Sequence, residues 1–177
     1  MGLMTGKRGV IMGLANDRSL AWGTAKALGD QGAELAFSYQ GESLEKRVRP
    51  LAAELGSDIL VDCDVSDMAA LDRTFEELRT RWDSLDFVLH AIGFSDKNEL
   101  RGQFVDTSLE NFLVTMNISV YSFVAVAQRA KAMMREGGAL LTLSYYGAEK
   151  VIPHYNVMGL AKSALETSVK YLAADLG

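Results

Sequence analysis

The sequence predicts an α/β protein with a doubly wound parallel sheet, and two observations carry the prediction. Short apolar runs and longer stretches with helical spacing alternate along the 177 residues, an order typical of doubly wound sheets. The apolar runs around Leu60, Val88 and Leu140 lack strict polar alternation, as expected of parallel strands that are covered on both faces. The length and the hydrophobic content of 49% suit one core, so we expect a single domain over residues 1–177.

Each element rests on a local pattern in the sequence. Apolar runs predict strands over residues 9–13, 33–39, 58–63, 86–92 and 138–144. Apolar residues at helical spacing predict helices over residues 19–29, 42–55, 67–82 and 108–134. A last helix is expected from Asn156 onward, because helical spacing continues there without a proline. Ligands bind such sheets at the carboxyl ends of the strands, so the turns there should carry the site.

Charge and cysteine content narrow the classes of partner and compartment. The net charge is −5 with both signs interspersed, so we expect a small-molecule partner and neither nucleic acid nor anionic membrane. The lone Cys63 permits no intrachain disulfide and fits a reducing cytoplasm, although a buried small hydrophobe is the simpler explanation of it. No apolar run approaches the roughly 18 residues of a membrane span. We expect no metal site.

The first strand-to-helix turn is rich in glycine. Gly13 follows the first strand, and Ser19 and Leu20 open a helix that contains Gly23. Amides at the start of that helix could hold a pyrophosphate. The spacing is not Gly-x-Gly-x-x-Gly, so a tight turn with Ser19 as helix cap is the alternative. The position after the first strand favours dinucleotide binding.

The ends of the next three strands add candidate cofactor residues. Gln40 could bond adenine ribose hydroxyls without charge, and no Arg or Lys beside it would bind a 2′-phosphate, which favours NADH. Asp64 and Val65 could bond adenine, with a turn role for Asp64 as the alternative. Ile92 and Gly93 end the fourth strand. Gly93 would let backbone approach a cofactor, although a plain turn glycine is as common.

A tyrosine precedes a lysine by seven residues near the end of the chain, at Tyr155 and Lys162. On one helix, seven steps turn about 700° and rise about 10.5 Å, and the lysine leans back toward the tyrosine, so the pair shares a face. The ammonium would lower the cost of negative charge on the phenol oxygen. The hydroxyl could then donate to a developing oxyanion, which indicates a reduction site.

Several segments together resemble the NADH-dependent bacterial enoyl-[acyl-carrier-protein] reductases, a divergent branch of the short-chain dehydrogenase/reductase superfamily. The segments that carry the resemblance are residues 13, 19–23, 34–40, 63–65, 90–94, 140–145 and 155–162. The segments are spread along the chain, so that the resemblance covers essentially its whole length. The long spacing from Tyr155 to Lys162 is the most specific of them, since it separates this branch from ordinary ketone reductases. The resemblance implies a Rossmann-type domain.

The resemblance also implies a reaction and a role for each candidate residue. Hydride would pass from NADH to the β-carbon of a trans-2-enoyl thioester on acyl-carrier protein, in fatty acid elongation. Tyr155 would donate to the thioester carbonyl, Lys162 would hold the nicotinamide ribose, and Ser95 would border the acyl chain. Tyr145 would be a second active-site tyrosine, with simple packing as its alternative. The residues implied to line the dinucleotide are Gly13, Ser19, Leu20, Gln40, Asp64, Val65 and Ile92.

Two further polar residues could be functional, but each has a simpler structural explanation. Asn117 could organise water on a reductase helix, but a mid-helix asparagine that bonds its own backbone is simpler. His90 lies inside a strand and is interpreted as a satisfied core residue rather than a base. The resemblance suggests a cytoplasmic homotetramer built through the two long helices.

Two alternatives to the enoyl reductase remain open. A ketone or alcohol dehydrogenase of the same superfamily would use Tyr146 and Lys150, but Gly147 and Pro153 predict a loop without a shared face there. Family members continue after the helix with Lys162, with strands and helices that clamp the nicotinamide and cover the acyl chain. We therefore expect a shortened chain with a bare edge at its fifth strand, and a catalytically silent dinucleotide-binding module is the second alternative.

Overall fold

The computed structural model describes residues 2–177, and Met1, at the start of the predicted domain, lies outside the described residues. Five strands follow the predicted order along the chain. They are β1 (Arg8–Met12), β2 (Glu34–Tyr39), β3 (Ile59–Asp62), β4 (Phe87–His90) and β5 (Ala139–Thr142). The helices are α1 (Leu20–Asp30), α2 (Gly41–Glu54), α3 (Met68–Arg81), α4 (Lys97–Leu100), α5 (Leu109–Met116), α6 (Ser122–Ala130) and α7 (Asn156–Leu176).

All strand pairs are parallel, and the sheet order is β3-β2-β1-β4-β5. Met12 lies opposite Ser38 on one side and His90 on the other, so the strand order reverses at β1. The centre of the sheet is apolar, with Ile11, Phe37 and Leu89 at most 2% exposed. The doubly wound, Rossmann-type prediction is confirmed, and the carboxyl ends of β1 and β4 meet at the switch point where such sheets bind ligands.

The described residues group into two compact units. The first holds the residues up to Ala91 with Gln128–Thr142, and the second holds Ile92–Ala127 with Leu143–Gly177. The first unit contains the whole sheet, with α1, α2 and α3 packed on it. In the first unit β5 pairs with β4 as an edge strand, and Leu141 on β5 is 45% exposed.

The predicted helix over residues 108–134 differs from the observed structure. A π-helical segment, Asn117–Tyr121, separates α5 from α6, which ends at Ala130. Periodicity of 3.6 cannot reveal a π segment, because its wider turn adds one residue to an otherwise regular helix. By its length, and by a mean hydropathy of 1.3 over its most apolar 18 residues, the stretch Leu109–Ala130 could cross a membrane, which corrects the expectation that no run approaches a span. In its most apolar window 44% is buried, and core helices of soluble proteins pass the same test.

Candidate active site

The glycine-rich turn after β1 lies in the first unit. Gly13 has φ +94°, a backbone conformation in which a residue with a side chain would be strained. Ser19 caps α1, because its Oγ accepts from the Trp22 amide at 3.2 Å and donates to the Asn16 carbonyl at 2.8 Å. Leu20 opens the helix and is 73% exposed. The turn thus places the start of a helix, whose first amides lack partners within the helix, directly after β1, a position that suits an anion.

Gln40 and Asp64 contact each other at the carboxyl ends of β2 and β3. Gln40 Nε2 donates to Asp64 Oδ2 at 2.8 Å, while Asp64 Oδ1 accepts from the Ser66 amide at 2.8 Å and hydroxyl at 2.7 Å. The Ser66 hydroxyl is the largest cause that lowers the pKa of Asp64, and burial opposes it. The ionised carboxylate therefore shapes its own turn and orients Gln40. Val65 beside it is 5% exposed.

His90 and Cys63 belong to the core of the first unit. His90 is fully buried, and its Nδ1 lies 3.3 Å from the Thr142 hydroxyl, which donates to the His90 carbonyl at 3.0 Å. Cys63 is a free cysteine with 4% exposure, and burial is the main cause that raises the pKa of its thiol. Both side chains have the core positions that the simpler explanations predicted.

Lys162 lies on α7 in the second unit with only 8% of its surface exposed. Its Nζ donates to the Leu143 carbonyl at 2.8 Å, and burial lowers the pKa of the ammonium. A Cβ added to Gly93 would lie 3.7 Å from that Nζ, so the turn after β4 and Lys162 are neighbours. Ile92 is half-buried and Gly93 is exposed. An ammonium has three N–H donors, so Lys162 can hold a ligand without giving up Leu143.

Tyr155 is the residue directly before α7, and its ring contacts the ring of Tyr145. The ring centroids are 4.9 Å apart at 70°, an edge-to-face arrangement. The pKa of Tyr155 is raised, mainly by burial and to a smaller extent by Tyr145. The Lys162 ammonium, which the sequence suggested would favour negative charge on this phenol, is not among the causes of the shift in pKa. A raised pKa keeps the hydroxyl protonated at neutral pH, which is the state that a hydrogen-bond donor needs.

Two glycines make room for the Tyr155 ring. A Cβ at Gly147 would lie 2.4 Å from Tyr155 Cδ1, so the ring packs directly on the Gly147 backbone. A Cβ at Gly159, one turn into α7, would lie 2.8 Å from the Gly147 carbonyl oxygen. Ser163 Oγ donates to the Ala148 carbonyl at 2.5 Å and ties the same segment to α7. The ring of Tyr155 therefore packs against the backbone of Gly147, in space that a side chain there would fill.

Tyr146 and Lys150 have no comparable arrangement. Tyr146 is 57% exposed in a single 3₁₀ turn, Tyr146–Ala148, and Lys150 follows it in an exposed bend. The two residues share no helix, as the sequence predicted. Tyr155, directly before α7, and Lys162, on α7, instead have the defined surroundings described above.

Ser95 lies beside a cavity of about 570 Å³ in the second unit, which Phe94 and Val114 also line. Ser95 Oγ donates to Asn111 Oδ1 at 3.2 Å and accepts from Thr115 Oγ1 at 2.9 Å. Asn111 was not foreseen from the sequence, since an asparagine in a predicted amphipathic helix is expected at the surface. It is 6% exposed, and its Nδ2 lacks a hydrogen-bond partner among the described residues.

The parallel sheet with its glycine turn, and a buried lysine seven residues after a tyrosine, are features typical of the short-chain reductase class of Rossmann-type proteins. A sequence profile described as Enoyl-(Acyl carrier protein) reductase matches residues 13–177. The chain therefore belongs to the enoyl-[acyl-carrier-protein] reductase family.

Named relatives and a solved structure agree with this assignment. The chain is 63% identical over 176 residues to the NADH enoyl-[acyl-carrier-protein] reductase 1 of Rhizobium meliloti (strain 1021), covering 99% of this chain and 65% of that protein. It is 52% identical to the Rickettsia felis NADH reductase FabI, and the match covers 99% of this chain and 68% of that protein. The crystal structure of the Anaplasma phagocytophilum reductase in complex with NAD superposes with a TM-score of 0.97 at 62% identity. The match covers 99% of this chain and 67% of that one. The chain thus spans about two thirds of the length of these proteins.

Proposed function

We propose that the chain carries the cofactor-binding and hydrogen-bond-donating groups of an NADH-dependent enoyl-[acyl-carrier-protein] reductase. The observation that carries the proposal is the pair of Tyr155 and Lys162, in which Lys162 is buried and Tyr155 keeps a raised pKa beside Tyr145. The names of the relatives, which are NADH reductases of this specificity, support it.

The described residues suit a dinucleotide. Gly13 with its positive φ and the capped start of α1 form a turn that a pyrophosphate can approach closely. Gln40, oriented by Asp64, offers its amide oxygen to a ribose hydroxyl. Lys162 has two N–H groups beyond the one bonded to Leu143 for the nicotinamide ribose.

The chain's own residues would stabilise the charge that the reduction creates. Bound NADH would supply the hydride that adds to the β-carbon of a trans-2-enoyl thioester. The Tyr155 hydroxyl then donates to the thioester oxygen as it becomes an enolate oxygen, and Lys162 adds positive charge nearby. A preorganised donor at such an oxygen is worth about 2.7 to 4 kcal/mol. Tyr145 restrains the Tyr155 ring, and Ser95 would border the acyl chain.

The experiment is NADH oxidation by the protein with a crotonyl or longer trans-2-enoyl thioester, with NADPH compared in parallel and the saturated thioester identified as product. Turnover with NADH supports the proposal. Tight NADH binding without reduction of any enoyl thioester would favour a catalytically silent dinucleotide-binding module instead.

The partner, compartment and assembly follow from the same proposal. Acyl-carrier protein would deliver the substrate in the cytoplasm. Apolar residues exposed on the long helices support a homotetramer built through them: Leu109, Leu113, Tyr121, Leu160 and Tyr171 are 39% to 74% exposed. Size-exclusion chromatography with light scattering tests the assembly, and a monomer at micromolar concentration would count against it.

A further inference from the structure

We propose that Asn156 is a positioning residue that sets the place of Tyr155 by capping the carbonyl end of α4. The inference rests on the proposed function, because it names what holds the proposed donor in place. All of the residues involved lie in the second unit.

The side chain of Asn156 is committed to backbone carbonyls. Its Nδ2 donates to the carbonyl oxygens of Gly102 at 2.8 Å, Leu100 at 3.2 Å and Glu99 at 3.3 Å. The last carbonyls of a helix lack partners within the helix, and α4 ends at Leu100. An amide has two N–H donors, so three acceptors use its full capacity. Asn156 therefore acts as a clamp between the α4 turn and the start of α7.

The backbone on both sides of Tyr155 is strained. Asn156 has φ +39° and His154 has φ +62°, and they are the two non-glycine residues with positive φ between residues 2 and 177. Asparagine enters this region more readily than most residues, but the conformation still costs free energy and persists where surrounding contacts enforce it. The clamp is such a contact. It enforces the sharp entry into α7 that puts Tyr155 at the helix start.

The clamp has two consequences for the site. Tyr155 lies directly before the clamped residue, with its ring packed on Gly147, so any shift of the α7 start moves the phenol. The clamped segment also follows Ser95, the proposed border of the acyl chain. Asn156 therefore couples the donor to the substrate border, while its own amide faces carbonyl oxygens and not the reacting atoms.

Three substitutions separate the hydrogen bonds from the backbone conformation. Asn156→Gly permits positive φ and removes the clamp. Asn156→Asp keeps the shape and puts an oxygen against three carbonyls. Asn156→Ala removes the clamp and disfavours the conformation. Asn98→Asp is the matched control, because Asn98 lies on α4 with an exposed side chain.

The first readout is an NMR spectrum of the protein with ¹³C-labelled tyrosine rings, in which the Tyr155→Phe variant identifies the Tyr155 signal. We expect Asn156→Asp and Asn156→Gly to shift or broaden that signal and Asn98→Asp to leave it unchanged. An unchanged Tyr155 signal in folded Asn156→Gly protein overturns the proposal. This readout needs no turnover, so it remains decisive if the protein proves inactive and the proposed function fails.

The second readout is kinetic. A displacement of about 1 Å can cost about a hundredfold in rate, so we expect kcat to fall ten- to a hundredfold in Asn156→Asp while KM for NADH stays within about twofold. In the Tyr155→Phe background the same substitution should cost almost nothing, because its effect passes through the tyrosine. An equal loss in both backgrounds overturns the proposal.

Discussion

Replacing Gly147 by alanine should displace the Tyr155 ring without removing any polar group. The new Cβ would lie 2.4 Å from Tyr155 Cδ1, 2.7 Å from Cε1 and 3.4 Å from Tyr145 Cδ1. Carbon atoms pack at about 3.5 Å or more, so the ring must retreat by roughly 1 Å. A displacement of this size can cost about a hundredfold in rate, and overpacking costs about 1–3 kcal/mol of the free energy of unfolding.

The assay is kcat for NADH-dependent enoyl reduction, together with urea unfolding at one pH. Gly29→Ala is the control, because its Cβ would make ordinary contacts of 3.4 Å with Leu55 and 3.7 Å with Leu35 at the end of α1. We expect kcat to fall about a hundredfold in Gly147→Ala and to stay near wild type in Gly29→Ala. Full kcat in Gly147→Ala would refute the inference that backbone contact with Gly147 sets the ring position.

The remaining predictions concern single groups of the site. Ser163→Ala removes the bond to the Ala148 carbonyl and should lower the free energy of unfolding by about 0.5–1.5 kcal/mol, measured by urea unfolding. Burial lowers the pKa of Lys162, so the folded state binds fewer protons at this residue than the unfolded state does. The free energy of unfolding should therefore rise with pH between the folded and unfolded pKa values of Lys162. Lys162→Met should abolish that rise in alkaline thermal scans and weaken NADH binding. Hydrogen bonds from Ser66 lower the pKa of Asp64, so its contribution to stability is present above the unfolded value of about 3.9 and is lost as pH falls through the folded pKa. Asp64→Asn should flatten the acid limb of stability, and an unchanged limb would contradict the assignment.

Much of the fold follows from patterns that are local. Parallel strands such as β1 and β2 are continuous apolar runs, and Ser19 precedes α1 as a capping residue, so the position and order of these elements could be predicted. The π segment could not, because it depends on tertiary contacts. Ser119 in that segment is fully buried and accepts from the Phe94 amide at 3.0 Å, a partner 25 residues away.

In the candidate site, too, some features could be predicted from the sequence and others depend on tertiary contacts. The spacing of Tyr155 and Lys162 is visible in the sequence, but helix geometry alone does not fix their relation, because Tyr155 lies directly before α7 and Asn156, its first residue, has φ +39°. The contact of Gln40 with Asp64 was missed, although both residues follow strands that pair in register. The clamp at Asn156 and the approach of Gly147 to the Tyr155 ring depend on a loop whose φ angles no periodicity specifies.

The measurement that tests the central claim most directly is kcat for reduction of a trans-2-enoyl thioester by NADH in Tyr155→Phe beside Tyr146→Phe. If Tyr155 donates to the enolate oxygen, the first variant should lose about 10²- to 10³-fold, and the second should stay near wild type because Tyr146 is an exposed turn residue. Loss of reduction in Tyr146→Phe with activity retained in Tyr155→Phe would contradict the assignment and point to the ketone reductase arrangement.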